Sequence, residues 1–525
     1  MSKPLRIDAR RITHYALRIT RNALRTTQYA GARRDAYRGE RRTPLRSTWF
    51  FWLGIVVYAV TYFTLYPKVP AIADENAYLT QASLFRAGRL SYDDSGIPAP
   101  EMSVDMAGRT VSKYPPGNSI LLVPFALAGW RWAFCCGLLL AIAGTLLFRA
   151  TLRLLEPAAD PAWSLLYLLY PAVVLYSRTI MSDLPAATAV LAGFYCLLRA
   201  GRWSLLAGLC LGYACLIRYS TAVLAPVFVL LLVLRPGRKL RDTALLFLGL
   251  APFALLAMAY NNYCYGGPFR FPWYLTGRFS FAFLPGNLAF YLPVLLVLYP
   301  LMLFAPLLAG RSRRLALSLP AYALLLPGLL FSYTPTFARG LAGAALGLRY
   351  LIPAVPFFVM GFVLLLHRLE TGLVGLRPLK FATVGVMLAL SVAIQYRHDR
   401  YLSVQDSCRR LVLNSVPAGA LLLCNPEVSE LLNPAWGWRE YRHIAEHNVP
   451  MPLDSAIVRK DTVYAALLVK PDKQTGPEIA AFSTLLARFP ERSLVQAVER
   501  PNWMRVYRLK PGWVSPARRP PSARP

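Results

Sequence analysis

Two adjacent carboxylates, Asp74 and Glu75, lie a few residues beyond the first long apolar run of the chain. The residues that follow, Asn76–Ala87, have the spacing of an amphipathic helix, and Gly88 is a natural stop for it. A carboxylate at a membrane surface can act as a general base or bind a divalent cation. Asp74 can also simply cap the helix, because aspartate is favoured at helix N termini. The stretch therefore predicts paired acids beside a helix that lies along the membrane.

A third carboxylate, Asp183, is predicted on the same side of the membrane, where it can take part in chemistry or cap a helix that begins before Pro185. Few acids accompany the arginines of that side. These arginines are Arg178, Arg218, Arg270, Arg278, Arg339 and Arg349. An unpaired charge at bilayer depth is costly, so we expect an anionic group to meet them. Phosphate is the natural candidate, because the guanidinium fork matches its oxygens.

The predicted chemistry joins these two sets of charges. A carboxylate takes the proton from an acceptor hydroxyl, while arginines hold a lipid-linked phosphate and stabilise the charge it gains on leaving a sugar. Two dipeptides, Arg218-Tyr219 and Arg349-Tyr350, could instead extend only to lipid headgroups. Tyr114, in the sequence Tyr-Pro-Pro-Gly, is interpreted as part of a rigid turn that returns the chain to the membrane.

The elements that must position these residues are membrane helices. Hydrophobic residues make up 56% of the 525 positions, and long apolar runs recur from Trp49 to Gln395. Several runs reach the roughly 20 residues that a bilayer crossing needs, and helices satisfy their backbone groups in lipid. The sequence predicts an all-α polytopic membrane protein with about eleven crossings. They lie at 48–66, 131–153, 162–177, 184–199, 204–217, 220–234, 243–261, 288–308, 315–333, 350–367 and 379–396.

The net charge of +32 follows this topology. Lys and Arg concentrate in the N-terminal tail and in short connections between apolar runs, which favours membrane orientation and anionic headgroups over nucleic acid. With the N terminus inside, the loop 67–117 and the chain after residue 397 fall outside. Six of the eight cysteines lie in or beside apolar runs, and the spacing of all eight fits no metal motif. A disulfide between Cys408 and Cys424 is left open.

Four regions result. Residues 1–46 form a basic cytoplasmic tail. We interpret it as disordered, in preference to a surface helix or a transit peptide. Residues 47–400 form the membrane domain. Residues 401–511 predict a small α/β extracytoplasmic domain, and residues 512–525 a disordered tail. The elements expected in the small domain are strands at 420–424 and 463–469, a helix at 478–488 and a hairpin at 494–509 that turns at Pro501-Asn502.

These motifs, in this order, resemble the GT-C superfamily of integral-membrane glycosyltransferases. The likeness is strongest to bacterial relatives of the protein mannosyltransferases that use dolichyl-phosphate-mannose and to the aminoarabinose transferases of lipid A. It covers most of residues 48–400. The matching elements are Asp74-Glu75 with Tyr78, Ala82 and Gly88; Lys113-Tyr-Pro-Pro-Gly117; the stretch Ser177–Pro185 around Asp183; Arg218-Tyr219; and Arg349-Tyr350 with Pro353 and Pro356.

The resemblance implies a polyprenyl-phosphate sugar donor and inverting transfer of a hexose or pentose to an acceptor hydroxyl outside the membrane. It implies a first-loop acid as catalytic base, which we assign to Asp74 before Glu75, with Asp183 nearby. Some relatives carry a divalent cation, so a metal held by Asp74 and Asp183 is left open. The residues expected to bind the donor phosphate are Lys113, Arg178, Arg218, Tyr219, Arg349 and Tyr350.

The expected partners are therefore the donor lipid, a lipid, glycan or protein acceptor, and the bilayer, with no nucleic acid. The expected location is the bacterial inner membrane, with the N terminus cytoplasmic and the C-terminal domain extracytoplasmic. A flippase or transporter of a lipid-linked sugar is the alternative, since it also needs outer arginines. It predicts polar residues deep in several helices, of which the sequence has few. A non-catalytic scaffold gives no use for the acids of the first loop.

Overall fold

The computed structural model describes fourteen stretches of the chain. They are 45–70, 72–235, 239–272, 278–297, 299–331, 348–372, 379–433, 437–446, 449–450, 462–469, 476–487, 489, 491–498 and 503–509. Predictions for the two tails, and for the turn at Pro501-Asn502, fall outside these residues. Leu45 and Arg46, assigned to the N-terminal tail, already begin the first helix.

The first half of the membrane domain is a row of helices interrupted by one extramembrane loop. Its helices are α1 (Leu45–Thr64), α2 (Ala73–Arg86), α3 (Gly117–Leu127), α4 (Ala133–Leu155), α5 (Leu165–Leu168), α6 (Pro171–Tyr176), α7 (Asp183–Arg199), α8 (Trp203–Ile217) and α9 (Leu224–Val233). Short 3₁₀ turns precede α4, α5 and α9, at Trp130–Trp132, Pro161–Ser164 and Tyr219–Val223. A hairpin of β1 (Ser103–Met106) and β2 (Arg109–Ser112) lies in the loop.

The second half contains α10 (Lys239–Tyr265), α11 (Leu284–Val297), α12 (Ala305–Leu308), α13 (Arg311–Leu330), α14 (Val355–Gly372) and α15 (Leu379–Ser415). Further 3₁₀ turns lie at Phe281–Phe283 and Leu348–Ala354. Helix α15 has 37 residues and runs from the membrane domain into the C-terminal domain. One apolar core contains buried side chains from every helix from α1 to α15.

The structure confirms a mostly helical membrane protein, but it does not confirm eleven crossings. Five segments among the described residues are long and apolar enough to cross a bilayer: Ser47–Thr64, Trp130–Leu155, Lys239–Tyr265, Leu348–Gly372 and Leu379–Ser415. The predicted crossing 162–177 is instead divided among a 3₁₀ turn, α5 and α6, and it is buried along its whole length. Pro171 begins α6, because proline cannot continue the preceding helix. The predicted crossing 288–308 is likewise split between α11 and α12.

Helix α2 begins three residues earlier than predicted, so both first-loop acids belong to its first turn. The N-cap position is Ile72, and no side chain caps the helix, so capping by Asp74 is wrong. The predicted helix is present, but its polar side is largely buried. Polar side chains of α2, including Asn76 and Gln81, are buried, because the C-terminal domain and the loop cover the helix.

The C-terminal domain is built on a five-stranded sheet in the order β4-β3-β7-β9-β8. The strands are β3 (Leu421–Cys424), β4 (Glu440–His443), β7 (Val463–Val469), β8 (Arg492–Val498) and β9 (Trp503–Leu509), with a separate pair β5 (Ala445–Glu446) and β6 (Val449–Pro450). Strands β3, β4 and β7 are parallel, and β8 and β9 form the expected hairpin.

Helices cover both faces of this sheet. The end of α15 and the short helix α16 (Pro426–Ser429) pack on one face, and α17 (Gly476–Ala487) packs on the other. Burial on both faces explains why β7 is an uninterrupted apolar run. Cys408 and Cys424 are buried in the first of these clusters as free thiols, so the disulfide left open by the sequence is not formed.

Candidate active site

Two acids and two arginines from four separate segments meet at the end of the membrane domain that faces the C-terminal domain. Asp74 Oδ2 accepts a hydrogen bond from Arg349 Nη1 at 2.6 Å. Asp183 Oδ1 accepts one from Arg218 Nη1, and Asp183 Oδ2 lies 3.7 Å from Arg349 Nε. All four side chains are at least four-fifths buried. We call these four residues the charge cluster; it holds two negative and two positive charges.

The charge cluster corrects the prediction that these arginines lack acidic partners. Arg218 and Arg349 pair with the acids that the sequence analysis treated as a separate set. The physical reason is that a buried charge is tolerated when an opposite charge and hydrogen bonds compensate it. Asp183 does not cap its helix either, because the N-cap position of α7 is Ser182 and no side chain bonds to the first turn.

Two tyrosines named by the motifs take different places. Both guanidinium groups of the charge cluster lie against the ring of Tyr350, with Arg218 Cζ 5.1 Å and Arg349 Cζ 5.4 Å from the ring centroid. Tyr219 turns away from the acids, and its hydroxyl donates to Asn261 Oδ1 at 2.7 Å. Tyr350 is therefore part of the site, whereas Tyr219 joins Arg218 to the end of α10.

Tyr114 is the functional candidate that the sequence analysis missed. Its hydroxyl donates a hydrogen bond to Asp74 Oδ1, the carboxylate oxygen that Arg349 does not contact. Its ring packs on Tyr78, with 4.7 Å between the ring centroids, and Tyr78 in turn donates to Ser182 Oγ at 2.9 Å. The position of Tyr114 directly after Lys113 in the loop could have indicated this role. The two prolines that follow Tyr114 favoured the interpretation as a turn instead.

Lys113 follows β2 and interacts electrostatically with Asp74, as expected for a residue of this site. Burial lowers the pKa of Lys113, and the carboxylates of Asp74 and Glu101 oppose part of that shift. Lys113 thus adds a positive charge at the edge of the charge cluster.

Glu75 and Arg178, like Tyr219, are predicted site residues that lie outside the charge cluster. Glu75 Oε1 accepts the backbone N–H of Ile180 at 2.9 Å, which ties α2 to the segment before α7. Arg178 is fully buried and donates to Leu65 O, His398 Nδ1 and Gln395 Oε1. The geometry therefore gives Arg178 a structural place between α1 and α15, and it does not support the assignment of this residue to the donor phosphate.

The carboxylates do not fit a divalent cation in this arrangement. Asp74 and Asp183 are both ion-paired, so the guanidinium groups stand where a cation would balance them. Within the described ranges, no group of three or more His, Cys, Asp or Glu side chains is arranged to hold a metal.

The C-terminal domain covers the site beside Asp74. Asn76 Nδ2 donates to Glu430 O at 2.6 Å, and Asn433 Nδ2 donates to Asn76 Oδ1 at 3.0 Å. Ser429 Oγ donates to Glu101 Oε2 at 3.2 Å, which joins the domain to the loop segment just before β1. Burial, with the nearby Glu430 carboxylate, raises the pKa of Glu101 to about 7.

An apolar cavity of about 220 Å³ opens among α11, α12 and α13. Its lining consists of Leu288, Tyr291, Leu292, Leu295, Leu303, Phe304, Leu307, Tyr322, Leu325 and Leu329. Phe331, two residues beyond the cavity wall, packs its ring on Tyr350 with 4.7 Å between centroids. The end of α13, which contributes Leu325 and Leu329 to the cavity, is thus followed by a residue that contacts Tyr350.

The chain matches solved membrane-protein structures over most of its length. ArnT from Cupriavidus metallidurans in the apo state matches with a TM-score of 0.57 and 14% identity, over 90% of this chain and 100% of that one. The same protein bound to undecaprenyl phosphate gives 0.55 at 14% identity, over 86% and 97%. Arabinofuranosyltransferase AftD from Mycobacteria gives 0.50 at 14% identity, over 88% of this chain and 40% of that one.

No protein-family model and no curated protein matches the sequence. At 14% identity the structural matches concern the fold alone. The chain therefore has the same fold as the solved ArnT and AftD structures.

Proposed function

We propose that this protein is an inverting glycosyltransferase that moves a sugar from a polyprenyl-phosphate donor to an acceptor hydroxyl at the extracytoplasmic face of the bacterial inner membrane. The observation that carries the proposal is the charge cluster, in which a carboxylate available as a base lies within hydrogen-bond distance of an arginine suited to phosphate. A solved structure of the same fold is bound to undecaprenyl phosphate, which supports a donor of this class.

The donor lies with its phosphate at Arg349, Arg218 and Lys113. The cavity among α11, α12 and α13 accommodates part of the polyprenyl chain, because its walls consist of leucine and aromatic side chains. The phosphate is the leaving group, and nearby guanidinium groups stabilise the negative charge that it gains. The acceptor enters from the side of the C-terminal domain, which lies over α2 next to Asp74.

Asp74 acts as the base. Its Oδ1 is oriented by Tyr114 and its Oδ2 faces Arg349, so the carboxylate has a fixed direction. It takes the proton of the acceptor hydroxyl as that oxygen attacks the anomeric carbon opposite the phosphate, and this attack inverts the configuration. Asp183 is fully buried and serves to hold Arg218 and Arg349 in place.

The test is transfer of radiolabelled sugar from polyprenyl-phosphate donors in membranes that contain the wild type, Asp74→Asn or Glu75→Gln. General base catalysis contributes roughly 10²–10⁴-fold, so Asp74→Asn is expected to lower the rate by at least 100-fold. Glu75→Gln keeps an oxygen for the Ile180 N–H and serves as the matched control, with most activity retained. Undiminished transfer by Asp74→Asn would move the base to Asp183, and no transfer from any donor would favour the flippase.

A further inference from the structure

Arg349 lies between the carboxylates of Asp74 and Asp183 and, of these two, forms a hydrogen bond only with Asp74. Its Nη1 donates to Asp74 Oδ2 at 2.6 Å, whereas its Nε lies 3.7 Å from Asp183 Oδ2. That Nε and that Oδ2 are buried and form no hydrogen bond with any residue in the described part of the chain. Buried polar groups are normally hydrogen-bonded. The Nε of Arg349 is therefore a donor directed into the site with capacity for one more acceptor oxygen.

The charges of the site limit how a phosphate can enter. The charge cluster is neutral, because Asp74 and Asp183 balance Arg218 and Arg349. A phosphodiester brings one further negative charge into a largely buried space, where Lys113 meets it at the edge of the cluster and a guanidinium within the cluster must be shared with it. Arg218 already pairs with the fully buried Asp183. Arg349 has the orphaned donor and the more exposed acidic partner, so it is the cation that the phosphate can recruit.

We propose that Arg349 is shared between Asp74 and the donor phosphate, so that donor binding draws the guanidinium from Asp74 Oδ2 and releases this carboxylate to act as base. The proposal rests on the proposed function, since it requires a phosphate-linked donor. Tyr114 contacts the other oxygen, Oδ1, and keeps the carboxylate oriented when Arg349 leaves Oδ2. Before the donor binds, Arg349 blocks the oxygen that the acceptor hydroxyl would reach.

The charge balance of the transfer agrees with this exchange. The acceptor oxygen forms a bond to the anomeric carbon, and its proton passes to Asp74 Oδ2. The bond from the anomeric carbon to the phosphate oxygen breaks, and its electron pair stays on the phosphate. One negative charge thus leaves Asp74 and one is gained by the polyprenyl phosphate, with the total unchanged. The Arg349 guanidinium, by moving from the carboxylate to the phosphate, stays beside the group that carries the negative charge. The donor consequently binds before the acceptor is activated.

The experiment measures binding of undecaprenyl phosphate to the purified full-length protein in detergent. The variants are Asp74→Asn, Glu75→Gln, Arg349→Met and the double variant Asp74→Asn/Arg349→Met. If Asp74 competes for Arg349, Asp74→Asn binds the lipid phosphate about tenfold more tightly than the wild type, although it is inactive in transfer. Glu75→Gln binds like the wild type. Arg349→Met binds more weakly, and adding Asp74→Asn to it changes the affinity less than about twofold.

Two results would overturn the proposal while leaving the proposed function intact. The first is that the wild type binds undecaprenyl phosphate and Asp74→Asn binds it with the same affinity. The other is equal tightening with and without Arg349, which would indicate general repulsion by the carboxylate and not a shared guanidinium. Failure of the wild type to bind the lipid phosphate would instead contradict the donor class itself. If Arg349→Met does not fold, Arg349→Gln replaces it, because glutamine keeps polar hydrogen-bonding atoms without the charge. Undiminished coupling in that variant would also contradict the proposal.

Discussion

Arg349 and Asp74 form a hydrogen-bonded ion pair at 2.6 Å although 275 residues separate them in the chain. The pair joins the first turn of α2 to the 3₁₀ turn before α14, and the ring of Tyr350 lies against the same guanidinium. Asp74, the catalytic candidate, is thus held by a contact between an early and a late segment of the membrane domain. Residues around Asp74 should accordingly affect transfer more than their individual chemistry indicates.

Tyr114→Phe is expected to lower transfer by roughly 10- to 100-fold, because it removes the hydrogen bond that orients the Asp74 carboxylate. A hydrogen bond to a charged group contributes about 1.5–3 kcal/mol, and about 1.4 kcal/mol corresponds to one factor of ten. The measurement is kcat/KM for sugar transfer with a polyprenyl-phosphate donor.

The matched control for this tyrosine is Tyr263→Phe, since the Tyr263 ring packs with Arg109 at the loop and has no contact with Asp74. It should leave transfer within about twofold of the wild type. Wild-type kcat/KM in Tyr114→Phe would show that the hydroxyl does not position the carboxylate, and it would return this residue to the role of a turn.

Local patterns in the sequence predict the helices and strands better than the contacts between them. Apolar runs and turn residues predicted most helices and every strand of the α/β domain that lies in its larger sheet except β4, because these features depend on local periodicity. The pairing of Asp183 with Arg218 depends on how α7 and α8 pack, which one sequence does not encode locally. Arg178 shows this limit, since it has the same predicted side as Arg218 but is held by Leu65 and His398.

The contact between the C-terminal domain and the first loop should weaken as pH rises. Burial raises the pKa of Glu101 from 4.5 to about 7, with Glu430 and Glu427 adding to the shift and Ser429 and Lys113 opposing it. The folded state therefore holds the Glu101 proton more tightly than the unfolded state. The stabilisation is complete below about pH 4.5 and is lost as pH rises through about 7.

Hydrogen exchange of residues 429–433 between pH 5 and pH 8, corrected for intrinsic rates, measures this effect. Faster opening is expected at pH 8 in the wild type, and Glu101→Gln should remove most of the difference. Glu491→Gln, at an exposed position of the same domain, is the control and should behave like the wild type. Persistence of the full pH dependence in Glu101→Gln would assign it to another group, such as His443, which contacts Ser429.

Lys380→Met should destabilise the protein without abolishing transfer in the molecules that remain folded. Lys380 lies at the start of α15, and its ammonium pairs with Asp160 and with Glu370. All three side chains are about nine-tenths buried. Removing one partner of a buried ion pair costs about 3–5 kcal/mol, because it leaves uncompensated charge. Thermal unfolding in detergent should show a lower midpoint. The exposed Lys239→Met is the control, and equal midpoints for the two variants would contradict the prediction.

Gly208→Ala should be among the more damaging small substitutions in the membrane domain. A Cβ at this position would overlap Leu246 O, and a Cβ at Gly249 on the facing helix would overlap Leu205 O. Helices α8 and α10 therefore meet backbone to backbone, as small residues allow in membrane proteins. Because neither backbone can yield as a side chain can, we expect a loss of about 1–3 kcal/mol.

The thermal midpoint of Gly208→Ala, compared with that of Gly385→Ala, tests this contact. Nothing lies within 4 Å of a Cβ built at Gly385, which is also helical, so that substitution should be neutral or slightly stabilising. The two variants make the same chemical change in a helix and differ only in what the new methyl group meets. Equal midpoints would mean that α8 and α10 separate at little cost. A lower midpoint for Gly208→Ala alone would establish their close approach as a determinant of stability.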